Sequence, residues 1–241
     1  MSNKILKLVI FFSTIFLTLL FKNISFANSS QKSNLKYVSD IRFKDEYFYR
    51  CLAKNEKQVL KEIEFIDCPN MKIMYADEVE YLPNIKKINL AENQIQQLNI
   101  SKNPLLEELN LSGNQLSKLD LSSNSNIRIL MLSNNKLDTL NTIHNTKLEE
   151  ITIESNILKK INFSNNIKLS HIDISSNKIS DLDVSKNINL STLNAINNRI
   201  TTLTLPEVHK FILVEVNNNP LNEETVKKLK GIQLSQGSVR F

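Results

Sequence analysis

LEELNLSGNQLSKLDLSSNSN, residues 106–126, decides the fold, because its apolar skeleton recurs along the chain at a spacing of 21 residues. Segments with this skeleton start at Ile85, Leu106, Ile127, Leu148, Leu169, Leu190 and Phe211. Counted from those starts, position 4 reads Ile88, Leu109, Leu130, Ile151, Ile172, Leu193 and Val214. Position 6 reads Leu90, Leu111, Leu132, Ile153, Ile174, Ala195 and Val216. Position 11 and, from Leu98 to Leu203, position 14 are apolar in the same way. No helical face accommodates this spacing coil after coil. A flattened coil does, if it has one short strand near positions 3 to 7, where alternate side chains point to opposite faces. Successive strands then pair in parallel, about 4.8 Å apart.

Position 9 is asparagine throughout: Asn93, Asn114, Asn135, Asn156, Asn177, Asn198 and Asn219. An amide carries two donors and an acceptor, so a buried column of them is expected to satisfy backbone groups of neighbouring coils. The competing reading, a row of ligand-binding amides, is the weaker one, since the same spacing serves the solenoid. The second half of each repeat nearly copies the first and ends in a second asparagine at position 19: Asn103, Asn124, Asn145, Asn166 and Asn187. Two such half-turns leave no room for a typical back-side helix. The back of each coil should therefore be extended backbone or short strand. Two departures interrupt the pattern. Thr142 stands at an apolar position, marking either a weak spot or a side-chain hydrogen bond, and Val208 replaces the second asparagine where the regular coils are expected to end.

A period in this range, carrying Leu-x-x-Leu-x-Leu-x-x-Asn, is the signature of a leucine-rich-repeat solenoid. The alternation of the two half-repeats resembles the bacterial leucine-rich-repeat class called IRREKO, over residues 85 to about 221. Leu82-Pro83-Asn84-Ile85 resembles the way internalin-like repeats begin. The resemblance implies a secreted or surface-exposed bacterial scaffold of conventional α/β class that is mostly β here, with small helical caps. It carries over no catalytic or ligand residues.

The expected organisation is a signal peptide at 1–27, a linker at 28–36, an N-terminal cap with a first irregular repeat at 37–84, regular repeats at 85–221, and a cap helix with tail at 222–241. Lys4 and Lys7 precede the apolar run Leu8–Phe21, and Ser25-Phe26-Ala27 offers a small-x-small cleavage step. The run is short for a retained membrane anchor. Removing this segment takes away three lysines and leaves 27 basic against 25 acidic residues, so the net +5 of the whole chain does not argue for nucleic acid. After cleavage no stable membrane insertion is expected.

In the N-terminal cap, Phe43, Phe48 and Leu52 fit one face of a short helix, with Leu60, Ile63 and Phe65 beginning the first strand. Cys51 and Cys68 are the only cysteines. In an oxidising compartment their placement suggests a disulfide, and they lack metal or redox spacing. At the other end Asn222 is a candidate N-cap and Gly231 a stop, with Val226 and Leu229 facing the last coil.

Chemistry finds little support. His144, His171 and His209 share no metal spacing, and Gly113, Gly231 and Gly237 are too isolated for a phosphate-cradling loop. No catalytic residue, metal or cofactor is expected. Binding is the better expectation, because stacked repeats present a broad surface. On the concave strand face, Ile129 and Met131 form an apolar pair, rimmed by Glu108, Asn110, Glu150, Thr152, His171 and Asp173. An apolar centre with a polar rim is how binding patches are usually composed. Ile196 and Leu213 are a second candidate patch. The sequence thus reads as an exported, secreted or periplasmic, non-enzymatic protein that recognises another protein through this face. The alternatives are a self-associating envelope scaffold and a secreted effector acting on a host protein.

Overall fold

The computed structural model describes residues 35–53, 57–207, 211–231 and 238–241. The chain divides into two compact units, 1–35 and 36–241. The expected signal peptide and nearly all of the linker, with Val208 and His209, lie outside the described residues.

The second unit is a stack of coils, each contributing one three-residue strand to a parallel sheet. In chain order these are β1 Phe65–Asp67, β2 Lys87–Asn89, β3 Glu108–Asn110, β4 Ile129–Met131, β5 Glu150–Thr152, β6 His171–Asp173, β8 Thr192–Asn194, β10 Leu213–Glu215 and β11 Ser238–Arg240. Register is invariant, with Ile88, Leu109, Leu130, Ile151, Ile172, Leu193 and Val214 stacked as inward neighbours. Each is almost wholly buried. Two strands on the back, β7 Asp181–Asp183 and β9 Thr202–Thr204, pair with each other. Elsewhere among the described residues of the regular coils the back consists of turns and irregular backbone without a helix.

The strand must turn sharply within three residues of leaving the sheet, and position 8 does this in a left-handed conformation. Glu92, Asn134, Ser155, Ser176, Asn197 and Asn218 all have φ between 54° and 58°, and Gly113 has φ 67°. Left-handed backbone is costly for residues with a Cβ. It is held here by coil-to-coil bonds from the position-8 N–H, such as Asn134 N to Glu154 O at 2.8 Å. At Gly113 the Glu92 carboxylate lies over the space a Cβ would take, and as the end of a flexible side chain it can move aside.

Behind the strands, each position-9 asparagine clamps three carbonyls and accepts from one N–H, or from two at Asn93. Asn156 Nδ2 donates to Leu132 O of the coil before and to Ile153 O and Glu154 O of its own coil, while its Oδ1 accepts from Leu137 N at 2.9 Å. The same set recurs at Asn114, Asn135, Asn177 and Asn198. The position-19 asparagines donate to two carbonyls of the coil before. Thr142, the departure noted above, makes a hydrogen bond: its hydroxyl donates to Asn166 Oδ1 at 2.8 Å.

Several local expectations need correction. Position 14 is only half-buried at Leu119 and Ile161, because the chain is still approaching the core there. The fully enclosed back column is two residues later, at Ile100, Leu121, Thr142, Phe163 and Val184. In the N-terminal cap, α1 spans Glu46–Leu52, capped by Asp45, whose carboxylate accepts from Tyr47 N and Phe48 N. Phe43 precedes the helix and packs edge-on against Phe48 at 5.7 Å. Leu60 sits in a 3-10 turn, and β1 starts at Phe65, which points outward and is 55% exposed, while Ile66 points inward. The alternation of a strand allows only one of the two to reach the core.

Cys51 and Cys68 form a disulfide, with Cα atoms 5.9 Å apart, that ties α1 to the residue after β1. Closing a loop of this size stabilises the cap by about 3 kcal/mol in the chain-entropy picture.

At the other end α2 spans Glu223–Lys230, with the Asn222 side chain accepting from Thr225 N. Thr225 and Leu229 are the buried residues, and Val226 is only half-buried. Gly231 ends the helix with φ −79°, so the stop is not a left-handed glycine cap. The tail is not merely a tail. Ser238–Arg240 returns to the front and pairs with β10, adding the last strand of the sheet.

Candidate functional site

The strand register places the expected binding residues in one block. One row runs Glu108, Ile129, Glu150, His171, and the row beside it runs Asn110, Met131, Thr152, Asp173. Each residue is flanked by strand neighbours about 4.8 Å away. That flanking has a consequence for the apolar centre. Ile129 and Met131 are half-buried rather than fully exposed, because the side chains on β3 and β5 cover their flanks. Ile196 and Leu213 are also half-buried, and β11 now borders Leu213.

The polar rim is partly engaged in holding the fold. Asp173 accepts from Ser175 N, from the Ser175 hydroxyl and from Asn194 Nδ2. Asn110 Oδ1 accepts from Ser112 N, as Asn89 and Asn194 do with the residues two ahead of them. These are Asx turns that stabilise the exit from each strand. Met131 and Thr152 stand where β2, β3, β6 and β8 use Asn or Asp for this turn, so these two residues are released from that duty. Glu108 pairs with Lys87 at 2.7 Å, and Glu215 with Arg240 at 2.8 Å. Among the described residues Glu150 and Glu154 join no ion pair. The middle of the face is therefore acidic beside its apolar pair, and its two ends are charge-balanced.

Nothing on this face assembles chemistry. Among the described residues no group of three or more His, Cys, Asp or Glu is placed to hold a metal. His144 lies in the back-side turn and His171 on the sheet, so the two do not meet. A groove of about 740 Å³ runs between α2 and Leu203–Glu207, behind the sheet rather than on it.

A family model described as "Leucine Rich repeat" matches residues 102–123 and 165–186. The chain is a leucine-rich-repeat solenoid. Among solved structures the solenoid is similar to the functional domain of InlJ from Listeria monocytogenes, at 25% identity and a TM-score of 0.57, covering 78% of this chain and 53% of that one. The chain thus spans about half the length of that domain. It is also similar in fold to internalin C2 of Listeria monocytogenes, at 19% identity and a TM-score of 0.72, covering 83% of this chain and 95% of that one. A third likeness of fold is to YopM, a leucine-rich effector protein from Yersinia pestis, at 18% identity and a TM-score of 0.63, covering 80% and 52%. No curated protein sequence matches the chain.

Reading inward columns leaves one exposed group of the solenoid unnoticed. Ile143, Ile167 and Ile188 stand on the flank where each coil passes from its back to the next strand, and they are 45%, 55% and 58% exposed. The sequence held a signal for them: positions 17 and 20 are otherwise mostly small or polar.

Proposed function

We propose that this solenoid is an exported, non-enzymatic recognition module that binds another protein through the outward face of its sheet, centred on Ile129 and Met131. The observation that carries the reading is the contiguous block of these two residues with Glu108, Asn110, Glu150, Thr152, His171 and Asp173 on four adjacent strands. Apolar side chains surrounded by polar ones form the anchor-and-rim arrangement of protein interfaces. The release of Met131 and Thr152 from turn-stabilising duty supports it. So does the rigidity of a sheet stapled coil by coil, since a preformed surface loses little entropy on binding. The Cys51–Cys68 disulfide supports an extracytoplasmic setting, where such bonds persist. The likeness to internalins and to an effector protein supports the same reading and keeps action on a host protein within it. On this reading the asparagine columns are structural and the face carries out no reaction.

The test is crosslinking of the purified full chain on cells of its source and of candidate hosts, with mass spectrometry of what is captured. One enriched protein, lost with Ile129→Asp combined with Met131→Asp while the variant keeps its melting temperature, supports the assignment. A captured partner that the double variant binds normally sinks it. Recovery of the chain alone, with sedimentation showing oligomers at micromolar concentration, favours the self-associating scaffold instead.

A further inference from the structure

We infer that the flank carrying Ile143, Ile167 and Ile188 is a docking ridge for an anionic lipid surface, separate from the sheet face. Three observations converge on it. The isoleucines are among the most exposed large apolar residues of the solenoid, and Ile167 and Ile188 occupy the same position in successive coils. The ridge is partly preformed: Asn165 Nδ2 donates to Ile143 O and Asn189 Nδ2 to Ile167 O, so the Ile143 and Ile167 backbones are tied to the next coil. The charge within the turn itself has one sign, with Glu149 lying close to Lys168 just beyond it. Lys147, Lys168 and Lys186 lie at positions 18 or 21, and positions 17 to 21 contain no Asp or Glu in the five coils starting at residues 85 to 169.

The composition selects the occupant. Protein interfaces favour Tyr, Trp and Arg at their anchors and are depleted in Lys, and these positions hold no aromatic residue and no Arg. A second copy meeting this one across a two-fold axis would bring the two lysine rows together, which repulsion opposes. Aliphatic side chains alternating with lysines suit the boundary of a bilayer, where the apolar groups enter the interface and the long cationic side chains reach the anionic headgroups. Lys147 Nζ already lies along the flank, donating to Asn126 Oδ1 at 2.7 Å.

The chain contains no tryptophan, so a single one reports its own surroundings. Ile188→Trp in the full chain is titrated with vesicles of phosphatidylglycerol and, separately, of phosphatidylcholine. Ile157→Trp, at an exposed isoleucine on the opposite flank, serves as the reference. The N-terminal apolar segment is common to both variants and so cannot account for a difference between them. Expected is a blue shift of Ile188→Trp with the anionic vesicles only, and none at Ile157→Trp. Changing Lys147, Lys168 and Lys186 to Gln together should weaken the response by about a hundredfold, at roughly fivefold per lysine. Equal shifts on both flanks, or no shift at Ile188→Trp, would overturn the proposal. A shift with an acidic polypeptide but not with vesicles would also overturn it, in favour of a protein partner. So would a shift on concentrating the protein without lipid, in favour of self-association.

Discussion

Two columns of asparagine run the length of this solenoid, one at the turn leaving the sheet and one at the turn on the back, and they are satisfied to different degrees. The position-9 amides of the regular coils use both ends: Nδ2 clamps carbonyls, and Oδ1 takes an N–H from the coil before. At position 19 the donors are used in the same way, but the Oδ1 atoms of Asn103, Asn124, Asn145 and Asn187 are buried with no partner. The residue is the same, and the difference lies in the backbone it faces. At the sheet-side turn, the position-11 N–H, such as that of Leu137, points at the next asparagine. The back turn closes on itself, with Asn145 N donating to Thr142 O and Leu148 N to Asn145 O, so no N–H remains to offer. Only Asn166 escapes, because Thr142 supplies a hydroxyl where other coils have an aliphatic side chain or Phe163.

The contrast sets the order of mutational costs. Asn156→Ala strips the Leu137 N–H of its acceptor inside the core and should cost about 2–3 kcal/mol in a urea melt. Asn145→Ala should cost only about 1 kcal/mol, since the Leu121 and Asn124 carbonyls each keep an in-coil donor and an unpaired oxygen is removed as well. Equal losses in the two variants would break the comparison. Thr142→Val returns Asn166 to the unpaired condition of its four neighbours while adding apolar burial. The expected cost is at most about 1 kcal/mol, and a larger one would mean that the other rungs have hidden partners.

The remaining orphan acceptor sharpens the point, because it is a carboxylate. Glu78 Oε2 is buried without a partner in the N-terminal cap, while Oε1 accepts from Lys44 N. Burial raises its pKa above 4.5, and Asp77 and Asp45 add to the shift. An amide oxygen has no remedy, but a carboxylate can take up a proton. A raised folded-state pKa means that the stability contribution is fully present below the unfolded value and is lost as pH rises through the folded one. Thermal melts of the wild type should therefore fall gently over that window, and Glu78→Gln should flatten the slope. An unchanged slope would place the titration elsewhere.

Much of this architecture was legible in the chain. The 21-residue register and both asparagine columns follow from short-range spacing that each coil repeats, while the cysteine pair and the Asn222 cap follow from residue type in the two end caps. Apart from the half-buried position 14 at Leu119 and Ile161, the errors fall where periodicity stops. Phe65, placed with Leu60 and Ile63 at the beginning of the first strand, does start β1, but strand alternation turns Ile66 inward and leaves Phe65 exposed. The tail was read as a tail because β11 follows a helix and inherits no repeat. Among the candidate binding residues, their common face was visible from alternation alone, whereas the partial covering of Ile129 and Met131 was not.

What the sequence determined by itself is what depends on position within one coil: which residues of the strands face inward and which amides lie behind the strands. Only the tertiary structure decided what depends on the coil next door. The satisfied and orphaned amide oxygens, the ion pairs that neutralise the ends of the sheet face, and the isoleucine ridge with its neighbouring lysines all belong to that class. The physical reason is that hydrogen-bond saturation and exposure are properties of pairs of coils, and a repeat read alone does not contain its neighbour.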